Sequence, residues 1–167
     1  ASVAVEALYS LTSELADYKI IFYSCNAKTI RLVKRLKRKT GLNVEWHGKG
    51  ELSHTQMLDL FASARIYIGI SLSDGISTSL LEAMAMGAFP IQTSTACVDE
   101  WFEDGVSGEA ISQVEAQVVS AKLRRALLAA DVENPVQEKN FQTIHEKSSS
   151  RRAIRLAKFF YIDKVPC

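Results

Sequence analysis

The chain has 167 residues, of which 47% are hydrophobic and 23% charged, and its net charge at pH 7 is +1. This length and composition predict a single packed domain and exclude an intrinsically disordered chain. The small net charge excludes a nucleic-acid-binding protein that depends on overall positive charge.

The predicted elements alternate between strand and helix along the chain. The strands are predicted over residues 18–24, 43–47, 64–71, 88–93 and 109–111. The helices are predicted over residues 3–15, 28–41, 53–61, 78–87, 112–130 and 151–162, with a short one from residue 98 and another from residue 135. Ser53 with Gln56 and Ser112 with Glu115 form capping-box patterns, and Gly41 suits a left-handed helix end.

This alternation predicts βαβ units with right-handed crossovers and a parallel sheet. The fold class is therefore α/β, a doubly wound Rossmann-like sheet with helices on both faces in three α/β/α layers. In such a sheet, ligands bind outside the carboxyl ends of the strands. A functional site is expected where a strand leads into the next helix.

The three cysteines predict neither a disulfide framework nor a metal site. Cys25, Cys97 and Cys167 are far apart, with no Cys-x-x-Cys pair and no zinc-type Cys/His spacing. No apolar run approaches the roughly 20 residues of a membrane span, and no signal peptide is visible. We expect a cytoplasmic protein without a bound metal.

Because the chain starts without Met in a helical pattern, we also expect a piece of a longer protein.

The turn after the third strand has the features of a phosphate site. Asp74 and Gly75 lead from that strand into a helix expected to start near Ser77 or Thr78. The first N–H groups of a helix lack intrahelical partners, and its positive dipole end attracts anions. Gly75 permits a tight turn and a close ligand, and Ser77, Thr78 and Ser79 add hydroxyl groups.

Glu82 is the only charged residue between Gly75 and Val98. It follows Thr78 by four residues, so both lie on one helix face, about 6 Å apart along the axis. A carboxylate can accept hydrogen bonds from two adjacent ribose hydroxyls. A phosphate at the helix start and a ribose at Glu82 would fit one nucleotide, with a solvated glutamate as the alternative. Asp74 could accept from another part of that ligand, or could simply belong to a common Asp-Gly turn.

Residues 74–91, DGISTSLLEAMAMGAFPI, resemble the motif E-G-F-G-x-x-x-L-E-A-M-A-x-G-x-P-V of group 1, or family 4, retaining glycosyltransferases of the GT-B fold. VEWHGKGELSHTQMLDLFASARIYIGIS and DEWFEDGVSG extend the likeness more loosely. The resemblance implies that residues 1–167 form the C-terminal nucleotide-sugar-binding domain. It also implies that the domain's first strand and the N-terminal acceptor domain lie outside the chain, and that a helix at 150–162 packs back toward that domain.

The resemblance assigns the two acids to catalysis, Glu82 at the ribose hydroxyls and Asp74 at the hydroxyls of the donor sugar. The loop after the second strand would line the base pocket through His47 and Gly48. The turn and helix start would contact sugar and phosphate largely through backbone amides. These donor-binding residues are Gly75, Ile76, Ser77, Thr78 and Ser79.

Three departures from the family pattern keep alternatives open. Asp74 is one methylene shorter than the usual Glu, Ile76 and Ser77 replace Phe and Gly, and STACVDE lacks the usual Gly-Gly. A non-catalytic nucleotide- or sugar-binding module, an NDP-sugar epimerase or phosphorylase of the GT-B fold, and a plain Rossmann-type interaction domain therefore remain alternatives. HGKGELS has Ser53 in place of the third glycine of a dinucleotide fingerprint, which disfavours that site.

The resemblance implies transfer of a hexosyl group from a UDP- or GDP-sugar, with retention, to a saccharide or lipid-linked glycan in polysaccharide biosynthesis. No cofactor or metal is expected, and the fragment alone is expected to be inactive. Seven basic residues within 28–39 occur without an acid, and four more accompany aromatic residues within 151–161. These are either solvated faces or sites of peripheral contact with anionic lipid at the inner face of a membrane.

Overall fold

The computed structural model of the chain describes residues 1–71, 77–95, 97–129 and 135–149. Its helices are α1 (Ser2–Tyr9), α2 (Ala27–Thr40), α3 (His54–Ser63), α4 (Thr78–Ala85), α5 (Ala116–Ala129) and α6 (Pro135–Lys147), with a 3-10 turn at Val98–Glu100. Its strands are β1 (Lys19–Cys25), β2 (Asn43–Gly48), β3 (Ile66–Gly69), β4 (Phe89–Thr93) and β5 (Glu109–Ile111). The predicted helix at 151–162 lies outside the described residues. In the described ranges, no helix is long and apolar enough to cross a membrane.

Hydrogen bonds from capping residues explain where α2 begins and ends and where α3 begins. The Asn26 side chain accepts from the Thr29 N–H at 2.9 Å at the start of α2, which ends at Gly41 with φ of 72°. The predicted capping box of α3 is confirmed. The Ser53 hydroxyl accepts from the Gln56 N–H at 3.3 Å, and the Gln56 side chain accepts from the Ser53 N–H at 2.8 Å.

Helix α1 is shorter than the predicted helix over 3–15. The Ser10 and Thr12 hydroxyls donate to the carbonyls three residues earlier, at 2.8 and 3.0 Å. Hydroxyls that donate to backbone carbonyls compete with the backbone N–H groups that would form the helical hydrogen bonds. After Tyr9 the chain therefore continues as turns. Leu11 and Leu15 remain buried, at 0% and 3% exposure, so the predicted core face is right although the helix ends early.

Helix α5 starts later than predicted, and the capping box at Ser112 is wrong. A capping box would have the Glu115 N–H donate to the Ser112 hydroxyl, but this N–H donates to the Gln113 carbonyl at 2.8 Å. The Glu115 carbonyl accepts from the Val119 N–H at 3.0 Å, so Glu115 is the N-cap and Ala116 the first residue of α5.

The helices pack in two layers around the strands, as the α/β/α prediction requires. Helix α1 contacts α2 and α5, and helix α4 contacts α3 and α6. Neighbouring strand residues face different layers, since Ile111 joins the core under α1, α2 and α5 while Ala110 joins the core under α3, α4 and α6. This alternation is the two-residue period of a strand covered on both faces.

The parallel strands form two separate ladders instead of one continuous sheet. Strand β1 pairs with β2, and β4 pairs with β3 and β5, all in parallel. A groove of about 820 Å³ lies between β1 and β3. Arg65 Nη1 donates to the Tyr18 hydroxyl at 3.1 Å, and the Tyr23 and Tyr67 hydroxyls lie 3.4 Å apart. Because Tyr18 and Arg65 both precede their strands, β1 and β3 run in the same direction and all strands end at one edge.

Candidate functional site

Helix α4 begins at Thr78, the place expected from the sequence. The Ser77 side chain accepts from the Leu80 N–H at 3.3 Å and acts as the N-cap. The Ser77 carbonyl accepts from the Leu80 and Leu81 N–H groups at 3.1 and 3.2 Å. The amides of Thr78 and Ser79 therefore precede the first intrahelical hydrogen bonds. Such amides, at the positive end of a helix, can bind an anion.

The far end of α4 is held by a Schellman turn. Gly87 has φ of 92°, its N–H donates to the Met84 carbonyl at 3.1 Å, and the Ala88 N–H donates to the Ala83 carbonyl at 2.9 Å. Leu80, Ala83 and Met84 are at most 2% exposed and anchor the helix in the core. The position of Glu82 relative to the start of α4 is thus set by a helix fixed at both ends and along one face.

Glu82 lies on the part of α4 that the solvent reaches. Its side chain is 31% exposed, and its Oε1 lies 2.8 Å from Nε2 of His54. His54 opens α3, which follows β2, whereas Glu82 is on the helix that follows β3. The contact shows that α3 and α4, the helices that follow β2 and β3, meet near their first turns at one edge of the molecule.

The sequence prediction missed His54, because it lies 28 residues from Glu82 and no spacing rule connects them. Only the predicted topology could have indicated the contact. Both residues lie in the first or second turn of a helix that follows a parallel strand, and parallel strands end at the same edge of a sheet.

His47 and Gly48 end β2 at this same edge, seven and six residues before His54. The Gly48 N–H donates to Glu51 Oε2 at 2.6 Å, and a Cβ added at Gly48 would meet the Glu51 carboxylate. Gly48 therefore permits a close approach of the Glu51 side chain to the backbone, and His47 is half-buried. Their predicted role at a nucleotide base stays a prediction.

Hydroxyl and amide groups also cluster where β3 and β4 end, and the sequence prediction did not name them. The Thr93 hydroxyl donates to the Ser71 carbonyl at 2.9 Å and accepts from the Ser71 N–H at 3.2 Å, and the Thr95 hydroxyl reaches the same carbonyl at 3.3 Å. Gln92 is 3% exposed and lines the groove beside them. This cluster holds the chain at Ser71, where β3 has ended.

Asp74, Gly75 and Ile76, which the sequence predicts to form a turn, lie outside the described residues, so their predicted contacts stay predictions. The structure brings together the predicted residues Ser77, Thr78, Ser79 and Glu82 on α4. Among the described residues, no group of three or more His, Cys, Asp or Glu side chains is placed to hold a metal ion.

Comparison with known proteins gives a family and a fold. The family described as glycosyl transferases group 1 matches residues 2–142. No curated protein sequence matches the chain. Among solved structures, the glycosyltransferase from Rickettsia africae is 18% identical with a TM-score of 0.71. The C-terminal domain of the group 1 glycosyl transferase LpcC from Francisella tularensis is 16% identical with a TM-score of 0.73.

The chain aligns over 97% of its own length with 44% of the Rickettsia protein, and over 89% with 79% of the LpcC domain. It thus spans less than half of the Rickettsia enzyme. A third structure, Anabaena HepE in complex with UDP and glucose, is 16% identical with a TM-score of 0.57, over 93% of this chain and 44% of HepE. At these identities the structures establish the Rossmann-like α/β fold of a GT-B half, and with the family match they show that the chain belongs to the group 1 glycosyltransferases.

Proposed function

We propose that this chain is the donor-nucleotide domain of a retaining glycosyltransferase that uses a UDP- or GDP-linked sugar. The observation that carries the proposal is the placement of Glu82, a partly exposed carboxylate about one turn from the start of a rigidly held α4. The diphosphate would bind the amides of Thr78 and Ser79, and the ribose hydroxyls would donate to Glu82. The UDP complex of HepE, a protein of the same fold, supports a nucleoside diphosphate ligand.

The chemistry assigned to the chain is positioning and charge stabilisation. The α4 dipole would stabilise the negative charge that develops on the departing diphosphate. Asp74 would accept from hydroxyls of the donor sugar, and His47 and Gly48 would border the base. The acceptor, a saccharide or a lipid-linked glycan, and the cationic groups at the diphosphate would come from parts of a longer protein.

Calorimetry with UDP and GDP tests the ribose assignment on the protein that carries this domain. Glu82→Ala should weaken binding by about 1–3 kcal/mol, roughly fivefold to 150-fold, because a charged acceptor of two hydrogen bonds is lost. Glu138→Ala is the matched control, since Glu138 is an exposed acid on α6. Equal affinity of wild type and Glu82→Ala would refute the ribose role.

Turnover tests the enzymatic assignment separately. The longer protein should consume an NDP-sugar only when acceptor is present, and NMR of the product should show the donor's anomeric configuration. Asp74→Ala should reduce that turnover because the sugar loses a hydroxyl acceptor. Unchanged turnover in Asp74→Ala would show that this residue does not contact the sugar.

The groove between β1 and β3 supports the expectation that the domain has one more strand. Both strands turn an edge toward the groove, and Ala1, Ala4 and Leu8 at the start of the chain and on α1 also line it. We propose that a β-strand preceding α1 in a longer protein fills the groove and pairs with both edges. A strand in this place, followed by α1 and β1, makes the right-handed crossover between neighbours that parallel sheets require.

Hydrogen exchange tests the added strand. In a chain extended by its natural upstream residues, the amides of β1 and β3 that do not bond β2 or β4 should exchange more slowly than in residues 1–167. The thermal midpoint of unfolding should also rise, because edge N–H and C=O groups gain partners. An extension that changes neither quantity would contradict the proposal.

We propose contact with anionic lipid for the exposed face of α2, with a solvated face as the alternative. Val33 and Leu36 are fully buried, whereas the seven basic side chains of the helix are exposed. Flotation with vesicles containing phosphatidylserine should retain the protein, and the double variant Arg31→Glu, Arg35→Glu should weaken retention. Equal retention by neutral phosphatidylcholine vesicles would show that the charge is a solvated face.

A further inference from the structure

We propose that His54 is a positioning residue for Glu82. It holds Glu82 Oε1 through its Nε2 at 2.8 Å, so that Oε2 remains to accept from the hydroxyls of a nucleotide when one binds. The proposal rests on the ribose role proposed above for Glu82. His54 lies outside the predicted site, and its contact would hold the Glu82 carboxylate in place before a nucleotide binds.

The two backbones that carry this contact are fixed relative to each other. The capping box of Ser53 and Gln56 sets the first turn of α3, in which His54 is the first residue. Phe61 of α3, 2% exposed, packs in the same apolar cluster as Leu80 and Met84 of α4. With both helices anchored, the imidazole reaches one carboxylate oxygen without any rearrangement of the core.

The contact lies at the open edge, where it can orient a side chain but contributes little to folding. The His54 side chain is 71% exposed and the Glu82 side chain 31%. Exposed pairs of this kind add little to stability because solvent screens them. The effect of His54 should therefore be visible in ligand binding and nearly absent from the free energy of unfolding.

The physical effect is a reduced entropy cost of binding. A free glutamate side chain has several rotatable bonds, and ordering it when a ligand binds is unfavourable. A carboxylate already held at one oxygen loses less freedom, which is the general advantage of a preorganised site. The neutral imidazole suffices if its proton is on Nε2, because that nitrogen then donates to the ionised carboxylate.

A double-mutant cycle on the protein that carries this domain tests the proposal, with UDP affinity as the readout. His54→Ala should weaken UDP binding by roughly threefold to tenfold, the cost of ordering one more flexible side chain. The same change in a Glu82→Ala background should cause no further loss, because His54 then has no carboxylate to hold. His54→Gln can donate from its amide to the same oxygen and should restore most of the affinity.

Two controls keep loss of folding apart from loss of positioning. Thr55→Ala changes the next exposed residue of α3 and should leave UDP affinity unaltered. The thermal midpoint of His54→Ala should match that of the wild type, since the pair is exposed. If His54→Ala lowers the midpoint and His54→Gln restores stability without affinity, the contact is structural and the proposal is overturned.

The outcomes separate this proposal from the one on which it rests. If Glu82→Ala itself leaves UDP binding unchanged, the ribose role fails. If Glu82→Ala weakens binding while His54→Ala binds equally well or more tightly, the ribose role stands and positioning by His54 is refuted. If the two losses simply add, His54 acts on the ligand independently of Glu82, which also overturns the proposal.

Discussion

Replacement of Lys122 by Met should destabilise the chain by about 3 kcal/mol, because it leaves a buried acid with one partner. Glu109 on β5 is only 3% exposed. Lys122 Nζ lies 2.8 Å from its Oε2, and Arg125 Nε lies 3.1 Å from its Oε1. The Lys122 ammonium also pairs with Asp104 Oδ1 at 2.8 Å, so one cation serves two carboxylates.

The magnitude follows from the exposure of the remaining partner. Removal of one member of a buried ion pair costs about 3–5 kcal/mol, since the other charge stays desolvated. The lower end of that range applies because Arg125 still pairs with Glu109 after the change. This remaining pair compensates only partly, since the Arg125 side chain is 58% exposed. For a chain of this size, each kcal/mol shifts the melting temperature by about 2–4 °C, which predicts a decrease of roughly 6–12 °C.

Thermal denaturation followed by circular dichroism measures this shift, with Lys139→Met as the matched control. Lys139 pairs with Glu103 at 3.3 Å, but both side chains are more than half exposed, so its loss should cost under about 1 kcal/mol. A double variant Lys122→Met, Glu109→Met should recover much of the lost stability, because no unpaired charge remains buried. Equal destabilisation by Lys122→Met and Lys139→Met would refute the reasoning.

Three further predictions concern capping, packing and pH. Ser77→Ala should cost about 1 kcal/mol in urea denaturation, because the N-cap of α4 is lost, and Leu36→Ala, at a fully buried position, about 2–5 kcal/mol. Burial raises the pKa of Asp104, but hydrogen bonds from Lys122 and the Ala110 N–H outweigh it and lower that pKa below 3.8. The stabilisation from Asp104 should be present above pH 3.8 and lost as pH falls through the folded pKa, and Asp104→Asn should remove this part of the pH dependence.

The sequence by itself determined the features that depend on near neighbours. The capping box of Ser53 and Gln56, the left-handed end at Gly41 and the start of α4 at Thr78 are set within four residues, so local pattern was sufficient. The same reasoning placed Glu82 on the helix face of Thr78, because helical periodicity needs no tertiary information. The α/β fold followed from the alternation of these local elements.

Only the tertiary structure decided which distant residues meet. The contact of His54 with Glu82, the burial of Glu109 beneath Lys122 and the groove between β1 and β3 depend on how whole elements pack. No periodicity connects residues 28 positions apart, and the cost of a buried charge appears only when a neighbouring helix excludes water from it. Packing of α3 against α4 in a shared apolar core is the physical reason that Glu82 acquires a partner which its own surroundings in the sequence do not indicate.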